Sequence, residues 1–344
     1  MNALVKYEAG SGHVELRDRP EPEPAANQVL LDVAHCGICG TDLHVYHDTF
    51  QNYPPVILGH EFAGTVVDTG SAVQGIRPGE RFAVLGAAAV TCGTCPYCQR
   101  GEFMFCSARR GMGHGVDGAF APYAVARPDQ LYRVPDDVPM QTAALVEPLA
   151  AAVHAVGDIG RFQLGDVVLV SGPGPIGLLC LKLLAAQGIK TLVAGVSADA
   201  LRLEKADAFG AARTIAVDQE DLAAVVDEET QGVGVDVAFE CAGAEASVRN
   251  CLSAVRPLGR YVQVGHFGQD LTVPWDYIAF RQLRIDGSVG YTRETWDQTL
   301  RILEQGRLDL SDVITHTLPL SDWKTGFNLV EDQQAVKVLL TPEP

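Results

Sequence analysis

The sequence has 344 residues, of which 47% are hydrophobic and 20% charged, and its formal net charge is −17 at pH 7. These values predict a soluble globular protein of about two domains, and the acidic surface argues against binding to nucleic acid or anionic lipid. No run of about 18 uncharged apolar residues predicts a membrane span, and the first residues lack a signal-peptide pattern. We expect a cytoplasmic protein with reduced thiols.

Residues 1 to about 150 are predicted to form strands, turns and loops. Runs such as QVLLDVAHCGI and EFAGTVVDTG are rich in apolar and β-branched residues and are interrupted by glycine and proline. Such runs are typical of a β-rich domain.

Two dense stretches in this first region, CGICGTDLH and GHEFAG, bring Cys39, His60 and Glu61 to the ends of short predicted strands. A mixed set of sulfur, nitrogen and oxygen donors suits zinc. Three protein ligands with a fourth position open to water or substrate are typical of a catalytic zinc site. Cys36 in place of Cys39 is the alternative, and Asp42 is expected to support the ligands.

Four of the nine cysteines lie in the loop TCGTCPYCQRGEFMFC, at Cys92, Cys95, Cys98 and Cys106. In a reducing compartment such a cluster indicates metal binding rather than disulfides. Four thiolates on one loop suit a closed, structural zinc site, whose binding free energy would help to fold a loop with little apolar core. An iron–sulfur cluster is the alternative for the same donors.

The Ala-rich segment MQTAALVEPLAAAVHAV predicts a helix that Pro148 should kink or break near Glu147. We expect Pro148 to hold the chain there in a strand-like bend. Glu147 is then a candidate fourth zinc ligand, bound directly or through water.

From about residue 165, apolar runs alternate with helical segments of about 10–15 residues, which predicts parallel βαβ units. Gly172, Gly174 and Gly177 lie between the first such strand and helix, with Pro175 and Ile176 at the start of the helix. The glycines allow a tight turn and a close approach to pyrophosphate, and the helix N-terminus favours phosphate. This part of the chain is predicted to bind a dinucleotide.

The second strand of this region ends at Gly195 without the acidic residue that would bond the 2′-hydroxyl of NAD. Nothing there repels a 2′-phosphate, and Ser197 and Arg202 could contact one, which favours NADP over NAD. The alternative is that Asp199 caps the next helix and that NAD binds through Asp199 or the backbone.

Taken together, these motifs resemble the zinc-dependent medium-chain alcohol dehydrogenases over essentially all 344 residues. The motifs occur in the order of that family, and they are GICGTDLH, GHEFAG, the four-cysteine loop, GVDGAFAPY, VEPLA, GPGPIG, THTLPL and KVLL. Within the family the chain is most similar to the polyol branch, which includes sorbitol and threonine dehydrogenases.

This resemblance implies an α/β protein with a GroES-like β-rich catalytic domain at residues 1–151, completed by residues 291–344. A Rossmann domain with a doubly wound parallel sheet is expected at residues 152–290, with the active site in the cleft between the domains. The family also implies a homo-oligomer, either a tetramer or a dimer.

The resemblance also implies roles for individual residues. It matches the catalytic zinc ligands to Cys39, His60, Glu61 and Glu147. It matches the family's hydroxyl relay to Thr41, from which His44 can pass the alcohol proton onward. Four residues are expected near the nicotinamide by resemblance alone: Val264, Gly265, Ser288 and Val289.

The implied reaction is zinc-dependent hydride transfer between a secondary alcohol, such as a polyol or sugar alcohol, and NADP or NAD, reversible with the ketone. Two zinc ions per chain are expected, one catalytic and one structural. The alternatives are oxidation of a 3-hydroxy amino acid, as in L-threonine 3-dehydrogenases, and a non-catalytic relative that keeps the fold. Either Tyr291 or Arg293 could face the substrate.

Overall fold

The computed structural model describes residues 1–343, which contain sixteen strands and eleven α-helices. The strands are β1 Asn2–Lys6, β2 Val14–Asp18, β3 Val29–Gly37, β4 Val56–Ile57, β5 Glu61–Thr69, β6 Arg81–Val84, β7 Tyr123–Ala126, β8 Leu131–Arg133, β9 Val167–Ser171, β10 Lys190–Gly195, β11 Arg213–Ala216, β12 Val235–Glu240, β13 Val255–Gln263, β14 Arg284–Gly287, β15 Ile314–Pro319 and β16 Lys337–Thr341. The helices are α1 Gly40–Tyr46, α2 Pro96–Gln99, α3 Met140–Ala144, α4 Val146–Val153, α5 Pro175–Ala185, α6 Ala200–Ala208, α7 Leu222–Thr230, α8 Glu245–Ala254, α9 Trp275–Arg281, α10 Arg293–Glu304 and α11 Trp323–Glu331.

The chain divides into two compact units. The first unit comprises Met1–Glu147 together with the segment from Tyr291 to the C-terminus, and the second comprises Pro148–Gly290. The predicted domains have their first boundary at residue 151, whereas the first unit ends at Glu147, inside α4.

The first unit is built on two sheets. A three-stranded sheet has the order β2-β1-β4, and a seven-stranded sheet has the order β15-β16-β3-β5-β6-β8, with β7 also paired to β3. Along β3, Val29, Leu31 and Val33 are buried and alternate with more exposed residues, so one face of the strand joins the core. The same core includes Phe62 from β5 and Phe327 from α11.

The second unit is a six-stranded sheet in the order β11-β10-β9-β12-β13-β14, and all its strand pairs are parallel. Counted within the unit, this order is 3-2-1-4-5-6, the arrangement of a doubly wound dinucleotide-binding sheet. Val168, Leu169 and Val170 of β9 are all buried, as expected for a central strand covered on both faces.

The expectation of a strand-like bend at Pro148 is wrong. Helix α3 ends at Ala144, and α4 starts at Val146, so Pro148 is the third residue of a new helix. Proline is tolerated there because the first amides of a helix have no partner within it. The helical pattern is interrupted at Leu145, and Glu147 lies in the first turn of α4.

Helices that are long and apolar enough to cross a membrane do not occur among residues 1–343.

Candidate active site

Cys39, His60 and Glu61 come together in the first unit. Cys39 precedes α1 directly after β3, and Glu61 is the first residue of β5, opposite Gly37 in the antiparallel pairing of the two strands. One donor atom from each of the three residues lies within 4.8 Å of the others. Cys36, the alternative ligand, is a core residue with no exposed surface, and burial raises the pKa of its thiol well above the usual value.

Asp42 organises the approach to this site. Its Oδ2 accepts a hydrogen bond of 2.9 Å from the Cys39 amide, and its Oδ1 accepts one of 3.3 Å from the Gly59 amide. The same Oδ1 lies 3.5 Å from His60 Nδ1. The buried Asp42 carboxylate therefore fixes the turn that carries Cys39 and faces the imidazole of His60.

The three donors fit a divalent cation. Burial lowers the pKa of His60, but the charge of the Asp42 carboxylate, 3.5 Å from Nδ1, and the nearby Cys39 thiol raise it well above its usual value. The site therefore favours a positive charge at the imidazole. His60 Nδ1 is also among the few buried side-chain atoms of residues 1–343 that lack a hydrogen-bond partner. A thiolate, an imidazole and a carboxylate are donors that suit zinc.

Lys337 is a member of this site that sequence reasoning missed. Its Nζ donates to Glu61 Oε2 at 2.6 Å and to the Ile38 carbonyl at 3.0 Å, and its side chain is only 2% exposed. Burial lowers the pKa of Lys337, but Glu61 raises it above the usual value. One carboxylate oxygen of Glu61 is thus engaged by an ammonium group. The available signal was a single lysine in the apolar run AVKVLL.

Glu147 lies outside the group of donors within 4.8 Å of one another. Its Oε1 accepts a hydrogen bond of 2.7 Å from the hydroxyl of Tyr291, which is 3% exposed. Burial, reinforced by the charge of Glu61, raises the pKa of Glu147 to about 7. Arg293 instead places its guanidinium 2.7 Å from Asp129 Oδ2. Of the two candidates left open by the sequence, Tyr291 is the one that contacts this group of residues.

The four-cysteine loop brings its thiols into one cluster. The sulfur atoms of Cys92, Cys95, Cys98 and Cys106 all lie within 4.8 Å of one another. Cys92 Sγ accepts the Cys95 amide at 3.3 Å, and Cys106 Sγ accepts the Cys92 amide at 3.4 Å. Hydrogen bonds from Thr94 and Cys95 lower the pKa of Cys92 to about 6. Such amide donors stabilise thiolates, and four converging thiolates fit a tetrahedral metal ion.

Thr41 and His44, the predicted proton relay, lie three residues apart on α1 and therefore on the same side of the helix. His44 is exposed, and its Nδ1 lies 3.0 Å from Thr49 Oγ1. Within residues 1–343, no hydrogen bond joins the side chains of Thr41 and His44 directly. Thr49 orients the imidazole through Nδ1, which leaves the Nε2 atom of this exposed side chain to exchange a proton with water.

The glycine motif in the second unit occupies the turn between β9 and α5. Gly172 has φ +103°, and a Cβ there would lie 2.5 Å from the Ala242 amide nitrogen. A Cβ on Gly177 would lie 2.0 Å from the Gly172 carbonyl oxygen. Gly174 precedes Pro175, the first residue of α5, and no atom lies within 4 Å of the place its Cβ would take. The helix N-terminus is thus open to a phosphate, with Ile176 in its first turn.

At the end of β10, the residues predicted to meet a 2′-phosphate are already paired. The Ser197 amide donates to Asp218 Oδ1 at 2.8 Å, and the Ser197 hydroxyl donates to the same carboxylate. Arg202 is 8% exposed, and its guanidinium lies 3.5 Å from Asp199 Oδ1. Asp199 also accepts from the Val196 amide at 3.2 Å. The charge of Arg202 is thus balanced by Asp199, and both the amide and the hydroxyl of Ser197 are held by Asp218.

Glu240, which the sequence analysis did not identify, organises the carboxyl ends of β12 and β13. It has no exposed surface, and its Oε1 accepts the Ala242 and Gly243 amides, each at 3.0 Å. Its Oε2 accepts Gln263 Nε2 at 2.7 Å. An acid at the end of a buried strand, in the stretch VAFECAG, was the signal that could have found it.

The four residues expected near the nicotinamide all lie beside this network. The amides of Val264 and Gly265 donate to the Glu240 carbonyl at 2.9 and 2.8 Å. The Ser288 amide donates to the Gln263 carbonyl at 2.8 Å, and Val289, the next residue, is 39% exposed. Glu240 thus helps to fix the backbone of the residues that are predicted to lie near the nicotinamide.

Two family profiles match the chain. The alcohol dehydrogenase GroES-like domain matches residues 25–136, and the zinc-binding dehydrogenase domain matches residues 175–305.

The chain is similar to curated proteins and solved structures over nearly its whole length. It is 36% identical to a sorbitol dehydrogenase of Halalkalibacterium halodurans, a match that covers 99% of each chain. It is 33% identical to a D-arabitol-phosphate dehydrogenase of Enterococcus avium, which covers 100% of this chain and 98% of that protein. A Sinorhizobium meliloti crystal structure described as a zinc-binding dehydrogenase bound to NADP superposes with a TM-score of 0.90 at 31% identity, covering 99% of each chain.

Proposed function

The chain belongs to the zinc-dependent medium-chain alcohol dehydrogenases, and we propose that it transfers a hydride between a secondary alcohol, a polyol or sugar alcohol, and NAD(P), reversibly with the ketone. The observation that carries this proposal is the convergence of one donor atom each from Cys39, His60 and Glu61 within 4.8 Å. The glycine turn before α5 supports the dinucleotide half of the reaction.

Cys39, His60 and Glu61 would hold the catalytic zinc, and the four cysteines of the loop would hold a structural one, giving two zinc ions per chain. Bound zinc supplies Lewis acidity to the alcohol oxygen, and the dinucleotide accepts the hydride. Asp42 keeps the Cys39 turn and the His60 ring in place. Glu147, bonded to Tyr291, lies close enough for its charge to act on His60 and Glu61 and would hold a water or substrate hydroxyl beside them.

Thr41 and His44 would carry the alcohol proton away from the site. The Thr41 hydroxyl can accept the proton and donate its own, and the exposed imidazole of His44 can return it to water. No hydrogen bond joins the two side chains directly, so the path needs a group between them, and a bound ribose hydroxyl or a water could fill this place.

We propose NADP as the preferred dinucleotide because β10 ends at Gly195 and not at an acidic residue that would bond the ribose 2′-hydroxyl of NAD. Ser197 would have to exchange Asp218 for the 2′-phosphate of NADP. Asp218→Asn removes the carboxylate that competes with this phosphate for Ser197, so it should raise kcat/KM for NADP relative to NAD. A wild-type enzyme that used NAD at least as well as NADP would contradict this preference.

We further propose a cytoplasmic homo-oligomer, a dimer or tetramer. Reduced, metal-binding thiols persist in the cytoplasm. In the second unit, the edge strand β14 exposes Ile285, and α9 exposes Trp275 and Phe280, the last with 86% of its surface accessible. Light scattering on Phe280→Glu and on the wild type would test whether this apolar surface joins subunits.

The reaction is tested with the full-length protein, loaded with zinc, on a panel of alcohols run with each nicotinamide cofactor in turn. Sorbitol, D-arabitol and their ketones test the polyol reaction, and L-threonine tests the amino-acid alternative. Metal analysis should find two zinc ions per chain. An absence of turnover with every alcohol, together with a single zinc per chain, would instead indicate a non-catalytic relative.

A further inference from the structure

Arg109 is a half-buried cation in the first unit that pairs with no side chain of residues 1–343. Within residues 1–343, its guanidinium makes no hydrogen bond and no ion pair, although burial lowers its pKa from the usual value. Other partly buried arginines of this unit are paired, since Arg127 contacts Asp129 at 2.9 Å and Arg81 contacts the Pro135 carbonyl at 2.9 Å. A guanidinium that is partly withdrawn from water without a protein acceptor is unfavourable, so Arg109 is free to bind an acceptor from a ligand.

The neighbours of Arg109 place it on the side of the unit that carries the candidate active site. A Cβ built on Gly111 would lie 3.5 Å from Arg109 Nη1 and 2.7 Å from His114 Nε2, so the two side chains lie close together beside Gly111. Burial raises the pKa of the Tyr291 hydroxyl, and the charge of Arg109 acts to lower it. This hydroxyl donates a hydrogen bond to Glu147. The charges of His60 and Arg109 both lower the pKa of His114.

The charges and side chains around Arg109 suit an anion. His114 is electrically neutral near pH 7, because burial, followed by the charges of His60 and Arg109, lowers its pKa to about 4. The ring of Phe50 packs edge-on against His114, with the ring centroids 5.1 Å apart, which limits the access of water. A guanidinium presents five donors in a planar arrangement that matches the oxygens of a phosphate or carboxylate.

We propose that Arg109 binds an oxyanion group of the substrate, so that the preferred substrates are alcohols with a phosphate or carboxylate rather than neutral polyols. This inference rests on the proposed function, since it specifies the class of alcohol that the dehydrogenase takes. The anion is held by Arg109 while the hydroxyl to be oxidised lies at Cys39, His60 and Glu61. Arg109 is a specificity residue in this scheme and takes no part in the transfer of hydride or proton.

Arg109 could instead stabilise the four-cysteine loop, and the experiment has to separate this structural role from substrate binding. Its backbone amide donates to the Cys106 carbonyl at 3.0 Å, and its charge acts on the Cys106 thiol. A cation there could merely offset the negative charge of four thiolates around a metal ion. In that case, loss of Arg109 would release zinc from the loop and would affect all substrates alike.

The test compares D-arabitol with D-arabitol phosphate, and adds L-threonine as the carboxylate substrate, on the zinc-loaded full-length enzyme. The variants are Arg109→Gln, Arg109→Lys and, as a matched control, Arg110→Gln, whose guanidinium lies over the exposed ring of Tyr53 at 4.1 Å. We expect the wild type to favour an anionic substrate. We expect Arg109→Gln to lower the ratio of kcat/KM for the anionic over the neutral substrate by about 10- to 100-fold, mainly through KM. Arg109→Lys should restore part of the ratio, and Arg110→Gln should not change it.

The two anionic arms distinguish the ligands, because a phosphate site should favour D-arabitol phosphate and a carboxylate site L-threonine. A wild type that favours D-arabitol over both, or an Arg109→Gln variant that loses zinc and slows all substrates equally, would overturn the inference. Calorimetric binding of D-arabitol phosphate to the wild type and to Arg109→Gln gives a readout independent of turnover. If the wild type catalyses no oxidation at all, the proposed function fails, and the binding data still decide whether Arg109 takes the anion.

Discussion

The ammonium group of Lys337 lies 2.6 Å from the carboxylate of Glu61, and the two side chains are 2% and 1% exposed. Lys337 comes from β16, which pairs with β3 through Leu339 and Leu340, and Glu61 comes from β5 on the other side of β3. Strand β16, near the C-terminus, therefore delivers a cation to a candidate zinc ligand that stands 276 residues earlier.

This pairing predicts that Lys337→Met destabilises the zinc-free protein more than the zinc-loaded protein. Removal of one partner from a buried ion pair leaves an uncompensated charge and costs about 3–5 kcal/mol, whereas bound zinc would still offset the charge of Glu61. Thermal unfolding with and without a chelator measures the difference. Lys190→Met is the control, because the exposed pair of Lys190 with Glu229 should contribute only about 0–1 kcal/mol. Equal losses in the two metal states would argue against a ligand role for Glu61.

Thr41→Val removes the hydroxyl at the start of the predicted relay with little change in volume. We expect kcat to fall by about 100-fold or more and its pH dependence to change, while the affinity for the dinucleotide is kept. Steady-state kinetics across pH measures both effects. Thr65→Val in β5 is the matched control, and a Thr41→Val enzyme with wild-type turnover at every pH would remove Thr41 from the mechanism.

Cys95→Ser should reduce the zinc content from two ions to one per chain and lower the melting temperature. The four-cysteine loop buries little apolar surface, as only Phe103 and Cys106 are buried between residues 92 and 106, so its fold depends on the metal. Emission spectrometry of the purified protein counts the zinc. Cys251→Ala, at a buried cysteine of α8 outside either cluster, should keep both ions, and retention of two ions by Cys95→Ser would exclude the loop as a zinc site.

Acidification should release the zinc at Cys39, His60 and Glu61 before the zinc of the cysteine loop. The pKa of His60 in the metal-free fold lies well above its usual value, so a proton competes strongly with zinc, and the apparent affinity should fall as the pH falls from about 8 to 6. Because the pKa of His60 is higher in the folded than in the unfolded state, protonated His60 stabilises the metal-free fold at low pH. This stabilisation is lost as the pH rises through the raised pKa. Burial raises the pKa of Cys98 to about 11, but the hydrogen bonds that lower the pKa of Cys92 to about 6 and the presence of four thiolate donors favour retention by the loop. A colorimetric chelator, with Cys95→Ser to identify each ion, follows the release, and simultaneous loss of both ions would contradict this order.

Glu240→Gln should weaken dinucleotide binding by about tenfold, because it removes charge-assisted hydrogen bonds to the Ala242 and Gly243 amides. It also replaces the carboxylate that accepts from Gln263 by an amide, so two amide side chains face each other at residues 240 and 263. The double variant Glu240→Gln/Gln263→Glu restores a donor–acceptor pair between these side chains and should recover part of the affinity. Fluorescence titration with NAD(P)H measures the binding. If the melting temperature fell but the dissociation constant for NAD(P)H stayed the same in Glu240→Gln, the network would matter for stability alone.

Features encoded within a few residues of one another were predictable from the sequence. The four cysteines lie within fifteen residues, from Cys92 to Cys106, and the glycines from Gly172 to Gly177 lie between one strand and one helix. For such groups, the backbone geometry of a single turn or loop determines which side chains meet. The alternation of strands and helices likewise indicated the parallel sheet of the second unit.

Contacts between distant segments were decided by the tertiary structure. Lys337 meets Glu61, and Tyr291 meets Glu147 across 144 residues, because strand pairing and helix packing bring their backbones together, and no local pattern specifies such partners. Even at short range, the direction of a side chain depended on its surroundings, as Arg202 turns to Asp199. The sequence by itself determined which donors and glycines are present and their local order. Burial and long-range packing decided which of them are paired, which are charged, and that Arg109 finds no acceptor among the described residues.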